Sequence, residues 1–276
     1  MGLGSLMRSI VPPQTRASLR RLGVVNRALA FWYGGTKSIP HPHAPQFRFH
    51  FDGYRNIGWT LGGLSSFESG EFHFVRDTLK RKRVDCAWDI GANVGLWSLF
   101  FAGAEPPIRH IIAFEPDATN RKYLQMNQEK NALGDRMRIR DVALSAEPGT
   151  MTFYADAMTG STGGLERDST FIEQMYGGKR QEIQIQVSTV DREIEQGLPP
   201  PQFMKIDVEG HELGVLRGAT RTLAQHHPAM LLEVLRHHDE IAELLRGHGY
   251  RFFNAMDGKT IDRPEVETAC VHESDV

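Results

Sequence analysis

The chain has 276 residues, 40% of them hydrophobic and 24% charged, which excludes a wholly disordered protein and supplies enough chain for one sizeable core, alone or with an extension. A formal net charge of -2 excludes a general pull toward nucleic acid, and no segment approaches the roughly 18 uninterrupted apolar residues of a membrane-spanning helix. Two cysteines, Cys86 in an apolar segment and Cys270 in a polar one, form neither a metal spacing nor a disulfide framework, and with no secretory leader they predict a reducing, cytoplasmic setting.

Residues 1–51 contain seven Lys or Arg (Arg8, Arg16, Arg20, Arg21, Arg27, Lys37, Arg48) and no Asp or Glu. Within them Leu19, Leu22, Val25, Leu29 and Trp32 recur at helical spacing between arginines, which predicts an amphipathic helix. Such a helix either docks on its own domain or makes peripheral contact with the inner face of an anionic membrane. The stretch IPHPHAPQ, residues 39–46, holds three prolines and two histidines and reads as a stiff linker closing a basic arm of residues 1–46. Next, FRFHFDGY alternates like a strand and Ser66 to Lys82 reads as a helix, so residues 47–83 form a lead-in.

From residue 84 the hydrophobic period switches repeatedly. Strands are expected at Val84–Ile90, His110–Phe114, Met137–Val142, Gln202–Ile206 and Ala229–Val234, with helical runs at Ala118–Lys130 and Glu209–Leu223. Alternating strand and helix predicts an α/β fold with a doubly wound, mainly parallel sheet. TMTFYADAMTGSTGGL and IQIQVSTV break the rhythm and predict a β insertion between the third and fourth core strands, overhanging the strand ends. The main domain is expected to span 84–265, with 266–276 a polar tail.

In open parallel sheets, ligands sit beyond the carboxyl ends of the strands, where strand order reverses. The first core strand ends in Asp89-x-Gly91-Ala92-Asn93-x-Gly95. Asn93 stands where a dinucleotide site needs its second glycine, and no Lys follows as in a P-loop, so a dehydrogenase is disfavoured. Asp89 would repel phosphate and attract an ammonium group. The second strand ends in Glu115-Pro116, about 20 residues past the turn, where a carboxylate accepts hydrogen bonds from a ribose diol. Amino group and ribose together point to S-adenosylmethionine. At the third strand end, Asp141, Val142 and Ala143 suit an adenine amino group beside an apolar wall.

Taken in order, DIGANVG, AFEPDATNRKYLQMNQEKN, DVALS with Gly149 after it, STVDREI, MKIDVEGHELGVLRGA, LLEV and HGY resemble the FkbM-type S-adenosylmethionine-dependent methyltransferases from about Val84 to Tyr250. The resemblance implies a Rossmann-like, class I methyltransferase fold and methyl transfer to a hydroxyl, often on a sugar or polyketide-type product. It assigns Asp89, Gly91, Asn93 and Gly95 to the methionine part, Glu115 to the ribose, and Asp141 with Val142 to the adenine. Residues 1–46 lie outside it, and Ala157–Arg180 matches only through Ser161 and Thr162.

The fourth strand opens MKIDVEGHE, placing Asp207 at its carboxyl end with Glu209, His211 and Glu212 on the following turn. In-line methyl transfer needs the acceptor hydroxyl positioned and relieved of its proton. Asp207, Glu209 and Glu233, the last at the end of another apolar strand, are the candidates for that chemistry. Asp207 and Glu233 are also candidate Mg²⁺ ligands, since a bound metal lowers a hydroxyl's pKa. Against this, acids at a helix start also serve as caps, the reading that weighs most for Glu212. Lys205 reads as a buried partner for one of these acids, and the paired histidines 226–227 and 237–238 as solvated side chains. The expected partner is a small-molecule or glycan acceptor. The rival from another class is a non-catalytic module that keeps only the nucleotide site.

Overall fold

The computed structural model describes residues 23–62, 69–156, 163–165 and 180–275. It begins with α1 (Gly23–Tyr33), a hairpin of β1 (Thr36–His41) and β2 (Ala44–Asp52), then α2 (Ile57–Gly62) and α3 (Ser69–Lys82). The first half of the sheet follows as β3 (Cys86–Ile90), α4 (Leu96–Ala102), β4 (His110–Phe114), α5 (Ala118–Lys130) and β5 (Met137–Arg140). A detour through β6 (Ala143–Leu144), β7 (Gly149–Asp156), β8 (Arg180–Ser188) and α6 (Val190–Glu195) leads back to the sheet. The second half is β9 (Phe203–Ile206), α7 (Glu212–Arg217), α8 (Thr220–His226), β10 (Ala229–Leu232), α9 (His238–Gly247), β11 (Tyr250–Asn254), β12 (Thr260–Ile261) and β13 (Thr268–His272).

The central sheet runs β12-β11-β13-β10-β9-β3-β4-β5. Strands β10, β9, β3, β4 and β5 are parallel, while β13 lies antiparallel between β10 and β11. Because β3 is flanked by β4 on one side and β9 on the other, the chain reverses its winding direction there. The strands are buried on both faces, as parallel strands covered by helices must be. Ala87, Ile111, Ala113 and Phe203 point to one apolar core; Trp88, Ile90, Ile112, Met204 and Ile206 point to the other. This is the doubly wound, mainly parallel α/β sheet that the alternation predicts.

The expected insertion is present between β5 and β9. Strands β7 and β8 pair antiparallel, β6 adds in parallel, and a bridge between Tyr154 and Gly164 folds residues 163–165 back onto β7. Ser161, Thr162 and most of the loop at 157–180 lie outside the described residues, as do Leu19 and Leu22 of the predicted amphipathic helix.

Three expectations fail. The stretch at 39–46 is a hairpin, not a linker, so a boundary at 46 would cut β2: Thr36 to Pro40 pair with Asp52 to Arg48, and His41 is buried with its Nε2 2.9 Å from the Leu96 carbonyl. Prolines are tolerated because both strands of a two-stranded sheet are edges. The supposed polar tail contains β13, whose Thr268, Ala269 and Cys270 are fully buried in mid-sheet. The single helix expected over 209–223 is divided at Gly218, where a Cβ would lie 2.1 Å from the Ser145 carbonyl oxygen.

Candidate active site

The turn after β3 spends its backbone donors internally. The N–H groups of Gly91 and Ala92 both donate to the Phe114 carbonyl at 3.1 and 2.9 Å, Asn93 N–H donates to Glu115 Oε2 at 2.8 Å, and Gly95 N–H to the Ala92 carbonyl at 2.8 Å. A phosphate cradle needs such groups aimed at the ligand, so this turn is not one. Gly91 has φ +79 and sits against β9, where a Cβ would lie 1.8 Å from the Asp207 carbonyl oxygen. Asn93, at φ 51, is turned outward to line a cleft.

Glu115, at the end of β4, is 5% exposed, and each of its carboxylate oxygens accepts one backbone N–H, Asn93 on Oε2 and Asp117 on Oε1, both at 2.8 Å. Each oxygen keeps a lone-pair direction for a further donor, the arrangement a vicinal diol would use. Asp117 caps α5 by accepting from Thr119 and Asn120 N–H, and Arg121 donates to the Glu115 and Pro116 carbonyls. These bonds fix the turn and bring Pro116 and Asn120 to the cleft wall.

The cleft measures about 600 Å³, counting the part open to solvent, and lies across the carboxyl ends of β3, β4 and β9. Gly91, Asn93, Glu115 and Pro116 form one side; Ala143, Leu144 and Phe114 add an apolar wall; Asp207, Val208 and Glu209 form the far end. Phe153, Gly163, Gly164 and Leu165 of the insertion close over it. Phe153 and Asn120 carried no sequence signal beyond their elements, whereas the Gly-Gly of the insertion did mark a close approach: Gly164 packs on Glu209.

Several predicted residues stand elsewhere. Asp89 does not line the cleft: it is fully buried, its Oδ2 accepts from Ser98 Oγ at 2.5 Å, and its register partner on β9 is Lys205. Its side chain takes the face of the sheet covered by α4, where Ser98 lies, while the next residue, Ile90, takes the other face and lines the cleft. Ala92 and Gly95 likewise shape the turn without reaching the cleft, Gly95 opening α4 at φ 94. Asp141 is exposed, since the chain turns outward after β5 and presents Ala143 and Leu144 instead; Val142 packs into the core. Glu212 is fully buried and accepts from Gly210 N–H at 2.8 Å, a bond within the turn that precedes α7.

Below the cleft floor runs a chain of charges. Lys205 Nζ lies 2.7 Å from Asp207 Oδ2, the lysine almost buried and Asp207 27% exposed. Burial alone would discharge Lys205, but Asp207 and Asp89, with Glu233, hold its pKa above the usual value. Glu233 sits at the end of β10 against Asp207, whose repulsion, together with burial, raises its pKa. The protonated form of Glu233 is thereby favoured beside the Lys205–Asp207 ion pair. That cation stands where the predicted Mg²⁺ would be, and among the described residues no three His, Cys, Asp or Glu side chains are grouped to hold a metal, so the donor set does not fit Mg²⁺. Of the paired histidines, His237 and His226 are exposed, His238 Nδ1 lies 2.8 Å from the Pro264 carbonyl oxygen, and His227 stacks on His272; none lines the cleft.

An open sheet reversing at β3, an antiparallel strand inserted between β10 and β11, and a cleft whose polar groups suit a nucleoside rather than a diphosphate define a Rossmann-like enzyme of the class I methyltransferase type. Residues 89–252 match the methyltransferase FkbM domain, and the chain belongs to that family. It is 29% identical over 214 residues to the 31-O-demethyl-FK506 methyltransferase FkbM of Streptomyces tacrolimicus, covering 67% of this chain and 79% of that protein. It is also 29% identical over 156 residues to the hexuronic acid methyltransferase AglP of Haloferax volcanii, covering 56% of this chain and 58% of that protein. A solved FkbM methyltransferase from Methylobacillus flagellatus KT superposes with a TM-score of 0.44 at 16% identity, over 68% of this chain and 43% of that one.

Proposed function

We propose that this protein uses S-adenosylmethionine to methylate a hydroxyl of a saccharide or of a glycosylated, polyketide-type metabolite. The observation that carries this reading is Glu115, a buried carboxylate held by two backbone N–H groups beside a turn that offers no phosphate cradle. A nucleoside with a free ribose diol and no diphosphate suits that pairing. The apolar wall of Ala143 and Leu144 gives the adenine a surface, and Gly91 with Asn93 lies alongside the remaining part of the cofactor.

When bound, the cofactor supplies a sulfonium methyl. The chain's own residues then act on the acceptor. Asp207, paired with Lys205, receives the hydroxyl proton at the open end of the cleft, and as Asp207 loses its negative charge the protonated Glu233 behind it releases its own proton to solvent. Holding the oxygen near attack distance supplies much of the remaining rate. The two relatives, a methyltransferase of demethylated FK506 and a hexuronic acid methyltransferase, support an oxygen-rich acceptor.

Calorimetry with S-adenosylmethionine, S-adenosylhomocysteine and NAD, followed by methyl-labelled transfer onto hexuronic-acid oligosaccharides and glycosylated macrolides, tests the reading. Binding of the first two ligands and label on an acceptor hydroxyl are expected. Binding of NAD with neither sulfur ligand would overturn it.

A further inference from the structure

Helix α1 turns its larger apolar side chains away from the protein. Leu29, Ala30 and Tyr33 are half-buried, whereas Phe31 is 85% and Trp32 75% exposed, their rings meeting edge to face with centroids 6.1 Å apart. Ala28 and Arg27 are exposed beside them. Among the described residues the other exposed large hydrophobics, Leu235, Met256 and Val266, are scattered and none is aromatic. An adjacent Phe-Trp pair in water is the costly exception on this surface.

The sequence segment that carries the pair is basic. Residues 1–51 carry seven basic side chains and no acid, so the rest of the chain holds the whole of the negative charge. A second copy laid on α1 would bring like charge against like. An anionic surface would not. No helix among the described residues is long and apolar enough to cross a bilayer.

The position of the helix adds a third observation. Gly35, just past α1, accepts from Gly53 N–H at 2.9 Å. Two residues beyond, Arg55 Nη2 lies 3.4 Å from Asn120 Oδ1, and Asn120 lines the cleft. Since β2 runs alongside α5 from Asn131 at Arg48 to Tyr123 at Asp52, the C-terminal end of α1 stands at the cleft end of the sheet.

We propose that α1 docks the protein on an anionic lipid surface, with Phe31 and Trp32 entering the headgroup region, the basic charge of residues 1–51 favouring lipid phosphates, and the cleft at the same end of the molecule. One basic amphipathic helix without a second anchor binds weakly and reversibly. The association is therefore sensitive to salt, as the screening length drops from about 10 Å at 0.1 M to about 3 Å at 1 M.

Co-sedimentation of the full chain with vesicles of three parts phosphatidylcholine to one part phosphatidylglycerol, and with pure phosphatidylcholine, tests this. Binding to the mixed vesicles alone is expected, with release by high salt and a blue shift of tryptophan emission that is absent from the Phe31→Ser, Trp32→Ser variant, since Trp88 and Trp97 are buried and Trp59 packs on Phe49 and Phe51. The double variant Phe31→Ser, Trp32→Ser should lose affinity by about tenfold or more, the scale of two exposed aromatics, while its far-UV circular dichroism and melting temperature stay at wild-type values. Equal sedimentation of wild type and variant would overturn the proposal, as would absence of binding. So would a dimer seen by light scattering in the wild type and lost in the variant, which would assign the face to a second copy.

Discussion

Glu115 is held between two demands. Burial pushes its carboxyl up to about 8, although Asp117 and Asn93 N–H groups favour the ionised form. A ribose diol donating to both oxygens would add to that preference, so binding should release a proton and affinity for S-adenosylmethionine should rise with pH up to about 8. Glu115→Gln is expected to lower affinity by roughly tenfold to a hundredfold, the worth of charge-assisted hydrogen bonds, and to flatten the pH dependence in calorimetry. The proposed role of Asp207 is on the acceptor instead. Asp207→Asn keeps its size and leaves cofactor affinity within a few-fold, while turnover with a true acceptor should fall by roughly 10² to 10⁴. Near-normal turnover would return Asp207 to a merely structural partner of Lys205. The sequence made Glu115 and Asp207 legible because a carboxylate at the end of a parallel strand has few other places to go. The placement of Asp89 was not legible, because successive strand residues take opposite faces, and the buried Asp89 bonds Ser98 with Lys205 as its register partner on the neighbouring strand.

Hairpin β1–β2 shows what an element reading from local pattern misses. Phe49 and Phe51 are fully buried, and the packing of β2 on α4 and α5 makes the hairpin a layer over one face of the sheet. Phe51→Ala should therefore cost about 3–5 kcal/mol, a loss measurable by urea unfolding, whereas a linker residue would be silent. Prolines hid the hairpin, because their usual exclusion from sheets does not hold where every strand is an edge. Where apolar residues fill a parallel strand on both faces, the pattern was sufficient: β4 and α5 begin and end where the alternation predicts. At α7 and α8 it was not, since the break at Gly218 answers to the Ser145 carbonyl, distant in sequence. Strand β13 was concealed by the acids around it, Glu265, Glu267 and Glu273, which give its neighbourhood a polar average.

Among the described residues, buried acids outnumber buried lysines and arginines. Burial raises the pKa of Asp89, of Glu115 to about 8 and of Glu212 to about 7, and repulsion from Asp207 with burial raises that of Glu233. A carboxyl whose folded pKa exceeds its unfolded one stabilises the fold while protonated, and that contribution is lost as pH climbs from the unfolded value to the folded one. His41, lowered to about 4 by burial, works the opposite way and only below its ordinary 6.5. Between about pH 6.5 and 8 the acids act alone, so the cofactor-free protein should melt at progressively lower temperature across that window, and Glu115→Gln should lessen the slope in a thermal scan at constant ionic strength. A flat or rising profile would contradict the burial of these groups. The strand order carries a separate consequence for how the molecule is assembled. Because β13 enters between β10 and β11, both of which precede it in the chain, the sheet keeps an open slot until its latest strand arrives. While the slot is open, two rows of backbone donors and acceptors face outward in register for any extended segment of the right hydrophobic alternation. The strand that closes one molecule is thus equally shaped to close another, and crowding during folding sets the two outcomes in competition.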